Sequence, residues 1–414
     1  MRSWKFVWIL ISLSLLLDVY VFQVIKSLSQ GATPRTRMIL FTSYWGISVV
    51  AVTILAILPF LNVNEWPKFR QYAFATFLGL FFAKLLASVF FLVDDIRRLL
   101  QWASAKLFFR NTEGDSTGVD AISRSTFLSW LGIGIGTSLF GALLNGFRNK
   151  YNYEVRHVKL SFDNLPPAFR GLKILQLSDI HSGSFGSKEA VQHGVNLALK
   201  ENADIILFTG DLVNDMATEM HDYIDVFSRL KAPMGVFSTL GNHDYGDYAW
   251  WETPAAKVAN LEKLKQIHKD MGWRLLMNEH VVLEKGGEQI ALIGIENWSA
   301  KARFPKHGKM NEAYPGAEKY PFKILMSHDP SHWDAEVRPK YPDIDLTLSG
   351  HTHGMQFGIE IPGIKWSPVQ YLYKQWAGIY EEGRQKLYVN RGFGFIGYPG
   401  RVGIMPEITV IELV

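Results

Sequence analysis

The sequence predicts an α/β protein in two parts, a four-helix transmembrane region followed by a domain in which strands alternate with helices. Three observations carry this. Four long apolar stretches fill the first 150 positions. From Tyr151 onward, short apolar runs alternate with amphipathic patterns, as in sheets flanked by helices. Five of those runs end in clusters of Asp, Asn, His and Gly.

The chain has 414 residues, enough for more than one domain. Residues 1–150 hold 15 Lys and Arg against 7 Asp and Glu, and the remainder holds 28 against 32. The basic excess lies on the apolar part, so the globular part offers no basic patch and no nucleic-acid binding is expected. The chain has no cysteine, which excludes disulfides and thiolate chemistry.

The apolar stretches cover about 6–25, 38–63, 72–93 and 127–147, each long enough to cross a bilayer as a helix. The first is too long for a signal-peptide centre, and no small-residue cleavage site follows it. Trp4, Trp8, Tyr44, Trp45, Trp66, Tyr72 and Trp130 cluster near the stretch ends, where interfacial aromatics belong. Gly132, Gly134, Gly136 and Gly141 lie inside the fourth stretch with no strand before them, which points to close helix packing rather than a nucleotide loop. Residues 95–110 alternate basic and apolar groups at helical spacing, as in an amphipathic helix on a membrane surface, and 111–120 reads as a polar linker. Asp18 and Lys84 fall inside the first and third stretches at similar depth. Charges there need a partner, so an ion pair between them is expected. With the amino terminus outside, eight loop Lys and Arg face the cytoplasm against six outside. That bias, with the export-signal-like 123–128, puts the second domain outside the cytoplasm. The domains expected are 1–150 and 151–414.

In the second part, strands are expected at 173–177, 205–209, 235–240, 281–283, 290–295, 322–326 and 344–348. Helices are expected at 187–201, 220–230 and 255–271, with strands and turns from 386 to 414. The polar clusters sit at the carboxyl ends of strands, where α/β folds place their sites. They are Ser178-Asp179-Ile180-His181, Gly210-Asp211, Gly241-Asn242-His243-Asp244, Ser327-His328-Asp329 and Ser349-Gly350-His351-Thr352-His353-Gly354. Imidazoles and carboxylates converging from separate strand ends suit first-row metals.

Asp-X-His, Gly-Asp, Gly-Asn-His-Asp, Ser-His and Gly-His-Thr-His, in that order, resemble the calcineurin-like metallophosphoesterase superfamily. The flanks 165–174 and 405–409 are most similar to its bacterial membrane-anchored phosphohydrolase branch. The resemblance implies a two-sheet β-sandwich flanked by helices. It also implies two divalent metal ions (Mn, Fe, Zn or similar) bridged by Asp211, one held by Asp179, His181 and His353, the other by Asn242, His328 and His351. A metal-bridging hydroxide would attack a phosphoester or pyrophosphate bond, with His243 as general acid or stabiliser of the phosphoryl oxygens. Where the family often has an aspartate that orients this histidine, the chain has Asn214, followed by Asp215; an amide orients the ring but stabilises its charge less well.

Two further stretches invite a role. In 390–394, glycines would admit a phosphate and Arg391 would bind it, or Arg391 is a structural arginine in a turn. The aromatic segment 366–376, with Tyr371, Leu372 and Tyr373, is core packing, a lid or a membrane-facing lip. The function expected is that of a membrane-anchored, metal-dependent phosphoric ester hydrolase, a phosphodiesterase or phosphatase. Its partners would be the lipid bilayer and a phosphate-containing substrate such as a lipid or nucleotide. Alternatives are a hydrolase of a lipid-linked nucleotide, as in lipid A assembly, and a non-catalytic metal-binding scaffold.

Overall fold

The computed structural model describes residues 2–61, 66–108 and 124–414. They fall into two compact units, Met1–Asn145 and Gly146–Val414. The linker expected at 111–120 lies outside the described residues.

The first unit is built from four long apolar helices: α1 (Arg2–Leu28), α2 (Pro34–Ile57), α3 (Pro67–Phe108) and α4 (Arg124–Asn149), the last turn of which belongs to the second unit. Each has the length and hydropathy to cross a membrane. Thr33 starts α2 by accepting from the Thr36 N–H, and Pro34 occupies the first helical position, where its missing N–H costs nothing. One difference from the sequence reading is α3. The third span and the amphipathic stretch are a single helix of 42 residues, about 63 Å long. Asp94 and Asp95 are not helix breakers, so hydrogen bonding continues through them. Asp94 is held in place by Arg97 on its own helix and by Ser125 of α4. Phe109 and Arg110 lie outside the described residues.

Inside the bundle, the Lys84 ammonium is paired with the Asp18 carboxylate, as the sequence suggested. Ser48 donates to Asp18 at 2.8 Å and Tyr44 at 3.1 Å, so α2 supplies the hydrogen bonds that complete the pair. A methyl at Gly136 would lie 2.6 Å from the Ala83 carbonyl oxygen, and one at Gly132 2.9 Å from that of Ala87, so these glycines let α4 lie against α3. Gly134 and Gly141 face open space.

The second unit has fourteen strands among the described residues: β1 (Glu154–Leu160), β2 (Lys173–Leu177), β3 (Ile205–Phe208), β4 (Val236–Ser238), β5 (Arg274–Leu275), β6 (Glu279–Lys285), β7 (Glu288–Gly294), β8 (Lys323–Met326), β9 (Leu346–Ser349), β10 (Ile359–Ile361), β11 (Ile364–Trp366), β12 (Gly378–Glu382), β13 (Gln385–Val389) and β14 (Glu407–Leu413). One six-stranded sheet runs β1-β14-β2-β3-β4-β5, the other β12-β13-β9-β8-β7-β6, and β10-β11 is a separate hairpin. Both large sheets are mixed. Ile174, Leu207, Leu292, Ile324, Met326 and Leu348 pack between the sheets. The outer face of the first sheet is covered by α5 (Lys188–Lys200) through Val191, Val195 and Ala198. Ser187 caps α5 by accepting from the Ala190 N–H at 3.2 Å. The helix expected at 220–230 is only one short turn, Ile224–Phe227, after a 3₁₀ turn at Ala217–Met220.

Candidate metal centre

Strands β2, β3, β4, β8 and β9 lie side by side in their two sheets, and the five polar clusters follow them directly. Asp179, His181, Asp211, His351 and His353 all have positive φ, between 49° and 70°. Non-glycine residues adopt this conformation at a cost, and such strain concentrates at functional sites. Glycine is required beside them. A methyl on Gly350 would sit 2.2 Å from Asp179 Oδ2, and one on Gly241 2.2 Å from Asp211 Oδ1.

The side chains form two groups, Asp179, His181 and His353 in one and Asp211, His328 and His351 in the other, with the ligand atoms of each group within 4.8 Å of one another. Asp211 lies between them: its Oδ2 is 3.1 Å from His328 Nε2 and 3.6 Å from His181 Nε2. Ring nitrogens face each other within each group, His181 Nε2 to His353 Nε2 at 3.0 Å and His351 Nδ1 to His328 Nε2 at 3.3 Å.

Hydrogen bonds orient two of the rings. His328 Nδ1 lies 2.7 Å from the Thr209 carbonyl oxygen, which can only accept, so Nδ1 carries a proton and Nε2 is the atom turned toward the cluster. The Tyr373 hydroxyl donates to Asp329 at 3.3 Å and accepts from His351 Nε2 at 2.9 Å, leaving the His351 Nδ1 lone pair toward His328. Hydrogen bonds of this kind hold an imidazole in the orientation a metal ligand needs. Asn242 Nδ2 donates to the Tyr248 hydroxyl at 2.9 Å, while Asn242 Oδ1 is buried without a hydrogen-bond partner. A buried orphan acceptor is costly unless something binds it. The donor set therefore fits two divalent cations.

Burial keeps His181 and His351 neutral by lowering them to about 3 and about 4. Burial acts the same way on His328, but Asp211 and then Asp179 override it and raise this ring to about 10. Burial opposes ionisation of Asp211, yet His328 and His243 hold it well below the usual carboxylate range. Asp244, two residues beyond Asn242, ties the loops together by accepting from the N–H groups of Asp211, Leu212 and Gly241.

His243 lines the same cavity, about 200 Å³ in volume, without belonging to either group. Its Nδ1 is 2.7 Å from the Asn214 backbone carbonyl oxygen. The ring is thus oriented by the Asn214 main chain, while the Asn214 amide bonds Ser184.

Arg391 differs from the phosphate-binding expectation. It is buried, paired with Glu407 and Glu360, and does not line the cavity. Its loop is structural: Phe393 N–H donates to Ser178 and Gly394 N–H to Asp179, bracing the first cluster from behind. Arg401, fully buried, ties the same loop together through the Arg391 and Gly392 carbonyls. The cation that does line the cavity is Arg303, stacked on Phe304 in the loop 299–321. Sequence reasoning passed over it because that loop carries several basic residues and no motif. The aromatic segment divides: Tyr373 and Trp376 are buried, Tyr371 and Leu372 exposed.

Residues 172–355 match a family model described as calcineurin-like phosphoesterase, and residues 1–150 match one described as the transmembrane domain of a probable calcineurin-like phosphoesterase. The chain is 29% identical over 267 residues to a Danio rerio transmembrane protein with metallophosphoesterase domain, covering 63% of this chain and 57% of that protein. It is 29% identical to the uncharacterized metallophosphoesterase YkuE of Bacillus subtilis, over 70% of this chain and 98% of that protein. It is likewise 29% identical to phosphodiesterase YaeI of Escherichia coli, over 71% of this chain and all of that protein.

Proposed function

This chain belongs to the calcineurin-like metallophosphoesterases with a transmembrane domain, and from that premise we propose that it is an integral membrane phosphohydrolase using two divalent ions to cleave a phosphoester or pyrophosphate bond. The observation that carries this is Asp211 Oδ2, within reach of both His181 and His328. Asp179, His181 and His353 would hold one ion, His328, His351 and Asn242 the other, and Asp211 both. When bound, such ions acidify a water and neutralise charge at phosphorus.

The remaining groups belong to this chain's own chemistry. His243, with Nδ1–H fixed on Asn214, offers Nε2 to deliver a proton to the departing oxygen. Arg303 provides a cation for the phosphoryl oxygens. Tyr373 and Asp329 orient His351, and Asp244 keeps the Asp211 and Asn242 loops in register. Arg391 positions the loop behind the first cluster through Glu407 and Glu360. The catalytic domain lies outside the cytoplasm, on the Lys and Arg bias of the loops.

The test is hydrolysis by the purified full chain of a panel of phosphomonoesters, diesters and pyrophosphates, with Mn, Fe and Zn supplied in turn. Turnover that depends on added metal and vanishes in Asp211→Asn is expected. Turnover unaffected by metal removal would reject the reading.

A further inference from the structure

The β10–β11 hairpin is inside out. Its register pairs Ile359 with Trp366, Glu360 with Lys365 and Ile361 with Ile364. Strand alternation therefore puts the charged pair on one face and the four apolar side chains on the other. In a half-buried hairpin the apolar face packs on the core. Here Glu360 turns inward to Arg391 and Arg156, and Lys365 reaches the Ala377 carbonyl oxygen. Ile359, Ile361 and Ile364 are left 48%, 55% and 53% exposed. Trp366 touches Tyr371, which is exposed beside Leu372. Leu372 and the exposed Met355 also line the cavity above the two ligand groups. An apolar surface of this kind, running from a site to an outer face, marks an interaction surface.

A second set of contacts ties that surface to the last turn of α4. The Arg401 N–H donates to the Gly146 carbonyl oxygen at 2.9 Å, and Asn149 Nδ2 donates to that of Arg401 at 3.2 Å, so segment 398–402 holds the last turn of α4. The same segment holds the start of the hairpin, with Val402 N–H on the Gln356 carbonyl oxygen at 2.8 Å and Gly358 N–H on that of Val402 at 2.9 Å. The Gln356 side chain donates to the Tyr398 and Gly400 carbonyls, and Gln356 ends the turn that begins with His353. Hydrogen bonds thus join three things: the end of the apolar helix, the exposed hairpin and one wall of the metal centre. Only residues 150–153 separate α4 from β1.

We propose that the substrate is a phosphoester of a membrane lipid, with the hairpin seated in the headgroup layer and the lipid phosphate reaching the centre past Leu372 and Met355. This rests on the phosphohydrolase reading above. In the reaction the oxygen of water bonds to phosphorus, the bond from phosphorus to the leaving oxygen breaks, and a proton from that water ends on the leaving oxygen. The hydrocarbon-bearing product stays in the bilayer. Apolar side chains at interfacial depth hold such a segment in place.

The experiment uses the full chain, metal-loaded, in phosphatidylcholine vesicles. Three phosphate substrates are compared: bis(p-nitrophenyl) phosphate in solution, phosphatidylglycerol in the vesicles, and a polyprenyl diphosphate in the vesicles. The two lipid arms distinguish a diacyl from an isoprenoid anchor. We expect hydrolysis of at least one lipid, and at least a tenfold fall in the ratio of lipid to soluble rate for the double variant I361S/I364S. Because the chain has no cysteine, Ile361→Cys takes a single fluorophore, and lipid-borne quenchers should quench it. Hydrolysis of the soluble diester with neither lipid cleaved, an unchanged ratio, or an unquenched label would each overturn the proposal and leave the phosphohydrolase reading standing. Failure on every substrate would overturn that reading, and the proposal with it.

Discussion

The imidazole Nδ1 of His243 lies 2.7 Å from the backbone carbonyl oxygen of Asn214. A carbonyl oxygen only accepts, so Nδ1 keeps its proton whichever side chain position 214 bears. His243→Ala should leave metal content intact and slow turnover by about 10²–10⁴, the usual share of a general acid. Asn214→Ala keeps the carbonyl and should cost less than about tenfold. Steady-state kinetics alongside metal analysis decides this. A loss of metal in His243→Ala would make it a ligand.

Asp211→Asn should abolish hydrolysis and release at least one ion, because an amide brings no charge to a position within reach of both His181 and His328. Elemental analysis finding two ions and normal turnover in this variant would end the two-metal assignment.

Metal uptake should be coupled to a proton. In the metal-free protein Asp211 and Asp179, acting against burial, raise His328 to about 10, so this ring is protonated at pH 8 and must lose its proton to bind an ion. Affinity at this group should therefore climb as pH rises toward 10 and level off above it. Calorimetry at pH 8 in two buffers of different ionisation enthalpy should report about one proton released. Buffer-independent heats would contradict it.

Lys84 and Asp18 form an ion pair in the bundle interior, completed by Ser48. Breaking a buried pair leaves one charge uncompensated, at a cost of about 3–5 kcal/mol. Asp18→Asn and Lys84→Met should each lower the unfolding temperature in detergent, and the double variant should lose less than the sum of the two. Strict additivity would mean the pair is not coupled.

A reporter fused after Val414 should be active only outside the cytoplasm. Activity confined to the cytoplasm would reverse the orientation drawn from eight against six loop charges.

Sequence alone determined the apolar helices and singled out the residues of the candidate metal centre. Helix length and hydropathy are local properties, and metal affinity resides in residue type, so the four spans and the Asp, Asn and His clusters were legible without a fold. The Asp18–Lys84 pair was legible too, since charge in hydrocarbon must find a partner at its own depth. Only the tertiary structure decided what orients these groups. Thr209 and Asn214 act through main-chain carbonyls, which every residue carries and no motif records. Arg391 looked free in a glycine-rich loop, but strands far apart in sequence bring Glu360 and Glu407 to it. Arg303 reaches the cavity from a loop without pattern. In the β10–β11 hairpin, the strand register puts the apolar residues on one face and the charged pair on the other. Which of them turned outward depended on where Arg156 and Arg391 stood in the assembled domain, because burying Glu360 is tolerable only beside those guanidinium groups.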